Sequence, residues 1–513
     1  MNRHTLMLNN KRTYIVILII LACAAYINSL PNAFISDDIP GIAENNAINK
    51  LSNVTAQPMF FLRPLFYWGI SGLFGETAIF FRLVNILFHL GAVVAAYLLI
   101  SRLHTPLTAF FAAAIFAVHP IATEAVTWIS GGPYSQCGFF LLLALLFFNK
   151  REGKRRFYSL SLISFFLALV SGITAIVLPL ILIVFLICFG KFKGEWEKTL
   201  PFFGLGLVWA TAGLLQINNR NNIIAAVYSQ KTEWLNPFIQ IPFAVTSYLQ
   251  LIFWPDKLTL YHSELAINQN EYLLRLALFV IFLLIMIYSF KRQHKVFFWC
   301  AFFFICLLPT LTPLGISSVV AERYAYLASL GIFTLVGLAF SRLRNIKNFR
   351  LTAYAIFFAV ICALLIRTVI RNLDWRSEDR LWTATVALSP SSPNAHNNMG
   401  DVYSRAGDLS NALKEFSRAI ELKPDYAAAW HNLASTYLAM GKLQEAGEAY
   451  KKAVLLNPRL WESYQDLAVL YFRRNDLAAA RDNATKAIEL NPSELKLHHN
   501  LAMINLKLEQ ADH

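Results

Sequence analysis

Tyr14-Ile15-Val16-Ile17-Leu18-Ile19-Ile20-Leu21-Ala22-Cys23-Ala24-Ala25-Tyr26-Ile27-Asn28-Ser29-Leu30 contains no charged side chain, and it runs directly into Pro31-Asn32-Ala33-Phe34-Ile35-Ser36-Asp37-Asp38-Ile39-Pro40-Gly41. The first part is long enough to cross a bilayer, which takes ~17–25 predominantly apolar residues. It lacks a clear small-residue cleavage site, so it reads as a retained span and not as a signal peptide. Two adjacent carboxylates then stand where the helix leaves the hydrocarbon. Acidic groups there are costly and usually face a water-filled cavity or a site, so Asp37 and Asp38 are the first functional candidates.

The rest of the chain follows from that opening. Of 513 residues, 57% are hydrophobic and only 15% charged, with a mean hydropathy of +0.48; soluble domains carry roughly 25% charged residues. The composition is that of a polytopic membrane protein. A net charge of +14 would suit nucleic acid, but the basic residues lie in short runs between apolar segments and so serve as topology signals and anionic-lipid contacts; no nucleic-acid partner is expected. The six cysteines, Cys23, Cys137, Cys188, Cys300, Cys306 and Cys362, lack metal-ligand spacing and read as packing residues.

Candidate spans are 14–30, 78–101, 107–127, 134–149, 157–171, 174–190, 199–216, 272–290, 295–312, 326–342 and 350–370. Lys/Arg excess keeps short loops cytoplasmic. This rule places Lys11-Arg12, the run Lys150 to Arg156, Lys191-Phe192-Lys193, Lys291-Arg292 with Lys295, and Arg342 to Arg350 on the inner side. Counting Pro237–Trp254 as a span would break the pattern, so it is expected to be interfacial or re-entrant, tolerated where protein or water covers its backbone. About eleven spans result. Asp37-Asp38, the loop from Ile217 to Asn236, the Trp254-Pro255-Asp256-Lys257 turn and Glu322-Arg323 then share the outer face. The tightest connection is the Ser171-Gly172 turn.

Beyond Arg371 a repeat appears: Pro390, Pro424, Pro458 and Pro492 recur every 34 residues, in step with Met399, Leu433, Leu467 and Leu501 and with Ala419, Ala453 and Ala487. That period, with small residues at helix crossings and a closing proline, is the tetratricopeptide (TPR) signature. The expected fold is therefore all-α: a membrane domain over 1–370, a half-repeat joining helix over 371–390 growing straight out of the last span, and a TPR solenoid over 391–513 of about three repeats plus a partial, capping one. Asn398, Asn432, Asp466 and Asn500 occupy one equivalent repeat position. Such a ladder can donate to and accept from an extended peptide backbone, which makes it the candidate acceptor-binding surface.

Further polar residues interrupt the apolar helices: Arg63-Pro64-Leu65, Arg82, His89, the stretch Phe116-Ala117-Val118-His119-Pro120-Ile121-Ala122-Thr123-Glu124, and Glu322-Arg323-Tyr324. Buried ionisable groups need partners, so His119 and Glu124 are expected to join Arg82 or Arg63 around a cavity.

Together with Asn85, Leu249 to Leu258, Ala321-Glu322-Arg323-Tyr324-Ala325-Tyr326 and the repeats, these residues resemble the family of transmembrane and TPR repeat-containing O-mannosyltransferases over nearly the whole chain. The resemblance implies a GT-C glycosyltransferase fold, a polyprenyl- or dolichyl-phosphate-linked sugar (a mannose-like hexose) as donor, a protein Ser/Thr hydroxyl as acceptor, and an acidic pair near the chemistry. The chain departs from the family at Val170-Ser171-Gly172-Ile173-Thr174, where many members carry a Lys-Glu pair.

The chemistry so implied fits the residue types. The leaving group is already a stable phosphate anion, so cations rather than a general acid are needed; Arg63, Arg82 and Arg323 are the candidates, since guanidinium matches phosphate bidentately. One of Asp37 and Asp38 is the expected base, with inversion at the sugar carbon. The other would orient the acceptor or, with phosphate oxygens, hold a divalent cation such as Mg or Mn. His89, His119, Glu124, Glu322 and Tyr324 form the expected supporting network. The alternatives are a non-catalytic TPR membrane scaffold and an O-antigen ligase or polymerase; the latter would place catalytic Arg/His in a large late loop, whereas Pro313 to Arg323 is short. The expected setting is a bacterial inner membrane with the repeats in the periplasm, the alternative being the endoplasmic reticulum with the repeats in the lumen.

Overall fold

The computed structural model describes residues 3–151, 155–227, 236–262, 268–311, 318–346 and 348–512, and all regular elements among them are helical. The chain divides into two compact units: the first takes most of the residues up to Leu381, and the second takes Trp382 onward together with the end of the helix Leu200–Val227 from Asn218.

The first unit contains α1 (Arg3–Tyr26), α2 (Leu62–Phe74), α3 (Ala78–Leu103), α4 (Pro106–Val118), α5 (Pro133–Lys150), α6 (Arg155–Ser171), α7 (Leu178–Cys188), α8 (Leu200–Val227), α9 (Pro237–Phe253), α10 (Gln269–Arg292), α11 (His294–Leu307), α12 (Ala325–Leu343) and α13 (Arg350–Asp374). At its centre lies α4, which packs against α1, α3, α12 and α13. The reason is compositional: Ala109, Ala112, Ala113, Ala114 and Ala117 are all fully buried. Without a hydrophobic force between helices in lipid, small residues allow the close approach that dispersion requires. Gly337 of α12 meets this surface, where an added Cβ would lie 2.8 Å from the Thr108 carbonyl oxygen.

Each of the eleven expected spans is helical, but the count of eleven spans is not confirmed. Seven helices are long and apolar enough to cross a bilayer among the described residues, or eight if Pro106–Val118 and Pro120–Val126, bent by 54° at His119, form one broken span. Apolar runs overstate span length where Pro or Gly interrupts the helix. Gly172, for example, is extended (φ −174°, ψ 146°), and a 3-10 turn over Ile173–Val177 precedes α7. The expected loop from Ile217 begins later, since α8 continues to Val227; its remainder 228–235, part of the basic run (152–154), Lys347 in the run Arg342 to Arg350, the last residue of the expected span 295–312, and 313–317 of the Pro313–Arg323 loop lie outside the described residues.

The segment expected to be re-entrant is α9, which has an apolar core-facing side including Phe243, Val245 and Tyr248 and exposed ends at Phe238, Phe253 and Trp254. One turn of α10 reaches most of its length, Tyr272 donating to the Phe238 carbonyl (3.1 Å) and Arg275 to Ser247 (3.1 Å) and Gln250 (3.3 Å). The two helices therefore cross.

The main part of the second unit begins within α14 (Glu378–Leu388) and continues through α15 (Pro393–Arg405), α16 (Leu409–Leu422), α17 (Ala427–Ala439), α18 (Leu443–Leu456), α19 (Trp461–Arg473), α20 (Leu477–Leu490) and α21 (Leu495–Asp512). Consecutive helices pack as pairs. Gly400 faces the Phe416 ring, with room for no Cβ (2.7 Å), and Ala412, Ala419, Ala446, Ala453, Ala480 and Ala487 are buried at the crossings. Ser392, Asp408 and Asp476 cap α15, α16 and α20 by accepting from the N–H three residues on, each cap contributing about 1 kcal/mol.

Candidate functional site

The end of α1, the start of α3, the broken end of α4, the starts of α5 and α12 and the end of α13 come together in the first unit, and the acidic loop is fixed among them. Arg82, fully buried one turn into α3, donates from Nε to the Thr127 carbonyl (2.8 Å), from one terminal nitrogen to the carbonyls of Leu30 (3.1 Å) and Asn32 (2.7 Å), and from the other to Ala33 (2.9 Å). Asn85, one turn further, donates to the Trp128 and Ile129 carbonyls. These bonds satisfy irregular backbone that a dry interior would otherwise penalise. They also set Ser130 against the acids. Gly131 and Gly132 make this possible, because a Cβ on either would collide with the Glu124 carbonyl or the Asn85 amide.

The two aspartates part company here. Asp38 is fully buried, and its Oδ1 accepts from the Ser130 N–H (2.8 Å) and hydroxyl (2.6 Å), while Oδ2 is buried without a hydrogen-bond partner. Burial pushes its pKa up to about 6, against the opposing pull of the Ser130 bonds and the Arg82 charge. Asp37 is exposed. Half-buried Tyr67, whose hydroxyl is buried, lies close enough to sense Arg63, Asp38, Ser130 and Asp37, yet its hydroxyl makes no bond of good geometry. Arg63 sits over the Tyr67 ring (5.9 Å) and has no hydrogen bond or ion pair among the described residues. The result is a basic carboxylate oxygen, a phenol and an uncommitted guanidinium in one neighbourhood.

A second cluster adjoins it. Buried Glu124 holds Arg323 by both its backbone N–H (2.9 Å) and its guanidinium, which lies over the rings of Trp128 and Tyr324. Arg323 and Tyr324 line a small cavity of about 20 Å³ with Tyr134, Cys137, Thr174 and Cys306. Beside it, buried Glu322 accepts from Arg371 (3.0 Å), lies 3.6 Å from His262, and leaves Oε2 unpartnered. Arg371 also pairs with Asp374 (3.0 Å). Trp375 stacks on Trp128 at 5.7 Å.

Several sequence expectations are corrected by this geometry. Arg82 is no phosphate ligand: all but one of its N–H groups are spent on main-chain carbonyls. Glu124 and His119 do not join Arg82 or Arg63. His119 accepts from the Ile121 N–H at Nδ1 (3.1 Å) and bonds the Ile252 carbonyl from Nε2 (2.9 Å), so it braces the helix break against α9. His89 is likewise occupied, by the Tyr326 hydroxyl (2.8 Å) and the Ala117 carbonyl (3.3 Å). In the repeats, Asn432 donates to Asn397 (3.0 Å) and Asp466 accepts from Tyr450 (3.1 Å), so these two members of the ladder help to hold repeats together; Asn398 and Asn500 are half-buried.

Sequence reasoning missed Ser130, Tyr67, Trp128, Arg371 and Trp375. Ser130 precedes Gly131-Gly132-Pro133, a turn signature beside a polar interruption, and Arg371-Asn372 ends an apolar run; both were readable. For a divalent cation the donor set is poor. Among the described residues no group of three His, Cys, Asp or Glu side chains converges, Asp38 has one oxygen committed to Ser130, and Asp37 is exposed where Asp38 is buried.

Comparison with known proteins agrees with this layout. A dolichyl-phosphate-mannose-protein mannosyltransferase family model matches residues 57–213, and tetratricopeptide repeat models match 400–441, 427–460 and 462–494. Protein O-mannosyl-transferase TMTC3 of Mus musculus is 24% identical over 80% of this chain and 51% of its own length. Protein O-mannosyl-transferase F38B6.6 of Caenorhabditis elegans is 24% identical over 79% and 62%, and Protein O-mannosyl-transferase Tmtc2 of Drosophila melanogaster is 37% identical over 20% and 11%. The chain spans about half the length of TMTC3. It is similar to TMTC3 and F38B6.6 over most of its own length, and in this chain the matched mannosyltransferase region is followed by tetratricopeptide repeats.

Proposed function

We propose that this protein is an inverting membrane glycosyltransferase that moves a mannose-like hexose from a polyprenyl or dolichyl phosphate to Ser or Thr hydroxyls of proteins at the extracytoplasmic face, with the repeats binding the acceptor polypeptide. The observation that carries the reading is Asp38: a carboxylate oriented by Ser130, with its other oxygen buried and unpartnered, near Tyr67, over whose ring the uncommitted Arg63 sits. Similarity to the O-mannosyl-transferases supports the donor and acceptor classes.

In this reading Asp38 Oδ2 takes the acceptor proton as the hydroxyl oxygen bonds to the anomeric carbon from the face opposite the phosphate. The bond from that carbon to the phosphate oxygen breaks with its electron pair, and the lipid phosphate leaves as an anion. Arg63 neutralises the charge that grows there. A carboxylate with its pKa raised toward neutrality is a better base than an exposed one and is still ionised at pH 7. Asp37 orients the acceptor.

The test is transfer by the purified protein in lipid vesicles, from a sugar-labelled polyprenyl or dolichyl phosphate mannose to Ser/Thr peptides. Label should reach the hydroxyls with inversion, and Asp38→Asn should abolish it in a protein that still purifies folded. Full activity in Asp38→Asn, or no transfer by wild type from any lipid-phosphate sugar, would overturn the reading.

A further inference from the structure

The acidic loop is held by two different parts of the first unit, and they divide its backbone between them. Arg82 takes its carbonyls at Leu30, Asn32 and Ala33. The N–H groups go elsewhere: Ala33 donates to the Arg376 carbonyl (3.2 Å), and Ser36 donates to Glu378 Oε1 (3.2 Å). The same C-terminal stretch receives the Asn28 side chain at the Val369 carbonyl (2.9 Å) and the Asn32 side chain at the Asn372 carbonyl (2.9 Å). These contacts, with the Asn372 side chain donating to the Asn28 side-chain oxygen (2.7 Å), strap residues 28–36 to residues 369–378, more than 300 positions along the chain.

The Glu378 contact falls at the strained point. Ser36 has φ +52°, a left-handed conformation on a residue with a Cβ, immediately before the two aspartates. Such conformations persist only where surroundings over-determine them. Around Ser36 the chain then turns tightly, Asp38 N–H bonding the Ile35 carbonyl and Ile39 N–H the Ser36 carbonyl, both at 3.0 Å. The direction of Asp38 toward Ser130 therefore depends on the torsion at Ser36, whose N–H is held by the Glu378 side chain.

We propose that Glu378 is a positioning residue: its carboxylate holds Ser36 left-handed and so aims Asp38 at its reacting position. In this role Glu378 acts through the Ser36 N–H that it accepts. The inference rests on the reading of Asp38 as the base, but it concerns the conformation of the loop and has its own readout.

The experiment compares Glu378→Ala, Glu378→Gln, Ser36→Gly and the double variant Ser36→Gly/Glu378→Ala, all as full chains in lipid nanodiscs. Hydrogen exchange read by mass spectrometry over residues 33–39 should rise at least about tenfold in Glu378→Ala and stay near wild type in Glu378→Gln, whose amide oxygen still accepts. Transfer from lipid-phosphate mannose should show kcat reduced by about 10–100-fold in Glu378→Ala with KM for the donor within about twofold, because misaimed catalytic groups lose rate and not ground-state binding. Glycine tolerates φ > 0 without a brace, so Ser36→Gly should restore most of the kcat lost in Glu378→Ala. Unchanged exchange in Glu378→Ala, or equal damage from Gln and Ala, overturns the proposal. If wild type transfers no sugar, the exchange result still decides the strap, and the proposed function fails separately.

Discussion

Ser130 bonds the Asp38 carboxylate twice through the same oxygen, from its backbone N–H at 2.8 Å and its hydroxyl at 2.6 Å. Both bonds favour the charged form and work against the burial that raises the Asp38 pKa to about 6. Removing the hydroxyl in Ser130→Ala should therefore move the acid limb of the pH–rate profile upward from about 6. The rate at pH 7 should fall by about 3–10-fold, with partial recovery at pH 8, as a weakened base regains its charge. A pH profile of sugar transfer in vesicles checks both.

Asp38 should also be a stability liability. Its folded pKa of about 6 stands above the ordinary 3.8, so the folded state holds a proton that the unfolded chain has lost. The cost is absent below pH 3.8, grows as pH rises, and is complete above about 6. A shift of that size corresponds to about 3 kcal/mol. Asp38→Asn should therefore melt higher than wild type at pH 7.5, with the difference shrinking toward pH 4, while transfer is lost; melting curves in detergent at several pH values measure it.

The Glu322–Arg371 pair makes a different prediction. With side chains 0% and 1% exposed, loss of one partner strands a buried charge, which costs about 3–5 kcal/mol. Arg371→Met should destabilise the membrane unit strongly, and Arg371→Met/Glu322→Met should recover most of the loss. Thermal unfolding of the three proteins is the measurement.

Two glycines should separate packing from loop freedom. Gly132 abuts Asn85, whereas Gly41 has nothing within 4 Å of where a Cβ would stand. Gly132→Ala should displace Asn85 from the Trp128 and Ile129 carbonyls, at a cost of about 1–3 kcal/mol and with loss of transfer, while Gly41→Ala should leave melting temperature within about 1 °C.

The all-helical architecture was legible because its signals are local. Apolar runs announce helices in lipid, and a 34-residue period with alanines at fixed phase announces stacked pairs. The number of crossings was not, because the breaks at His119-Pro120 and Gly172 lie inside continuous hydropathy. Asp37 and Asp38 were visible as charges beside a span, but which of them is buried depends on a loop with no periodicity. The reading of Arg82 failed for a related reason. An arginine in an apolar helix needs anionic or carbonyl partners, and sequence alone does not reveal that the loop at Leu30 to Ala33 folds back to supply carbonyls.

That clamp has an evolutionary corollary. Main-chain carbonyls are common to all residue types, so the grip of Arg82 on Leu30 and Ala33 places no demand on the side chains found there. Homologous chains can drift at both positions while the acid loop keeps its path. Position 33 must retain an N–H for the Arg376 carbonyl, so proline is the one residue that this drift should never reach.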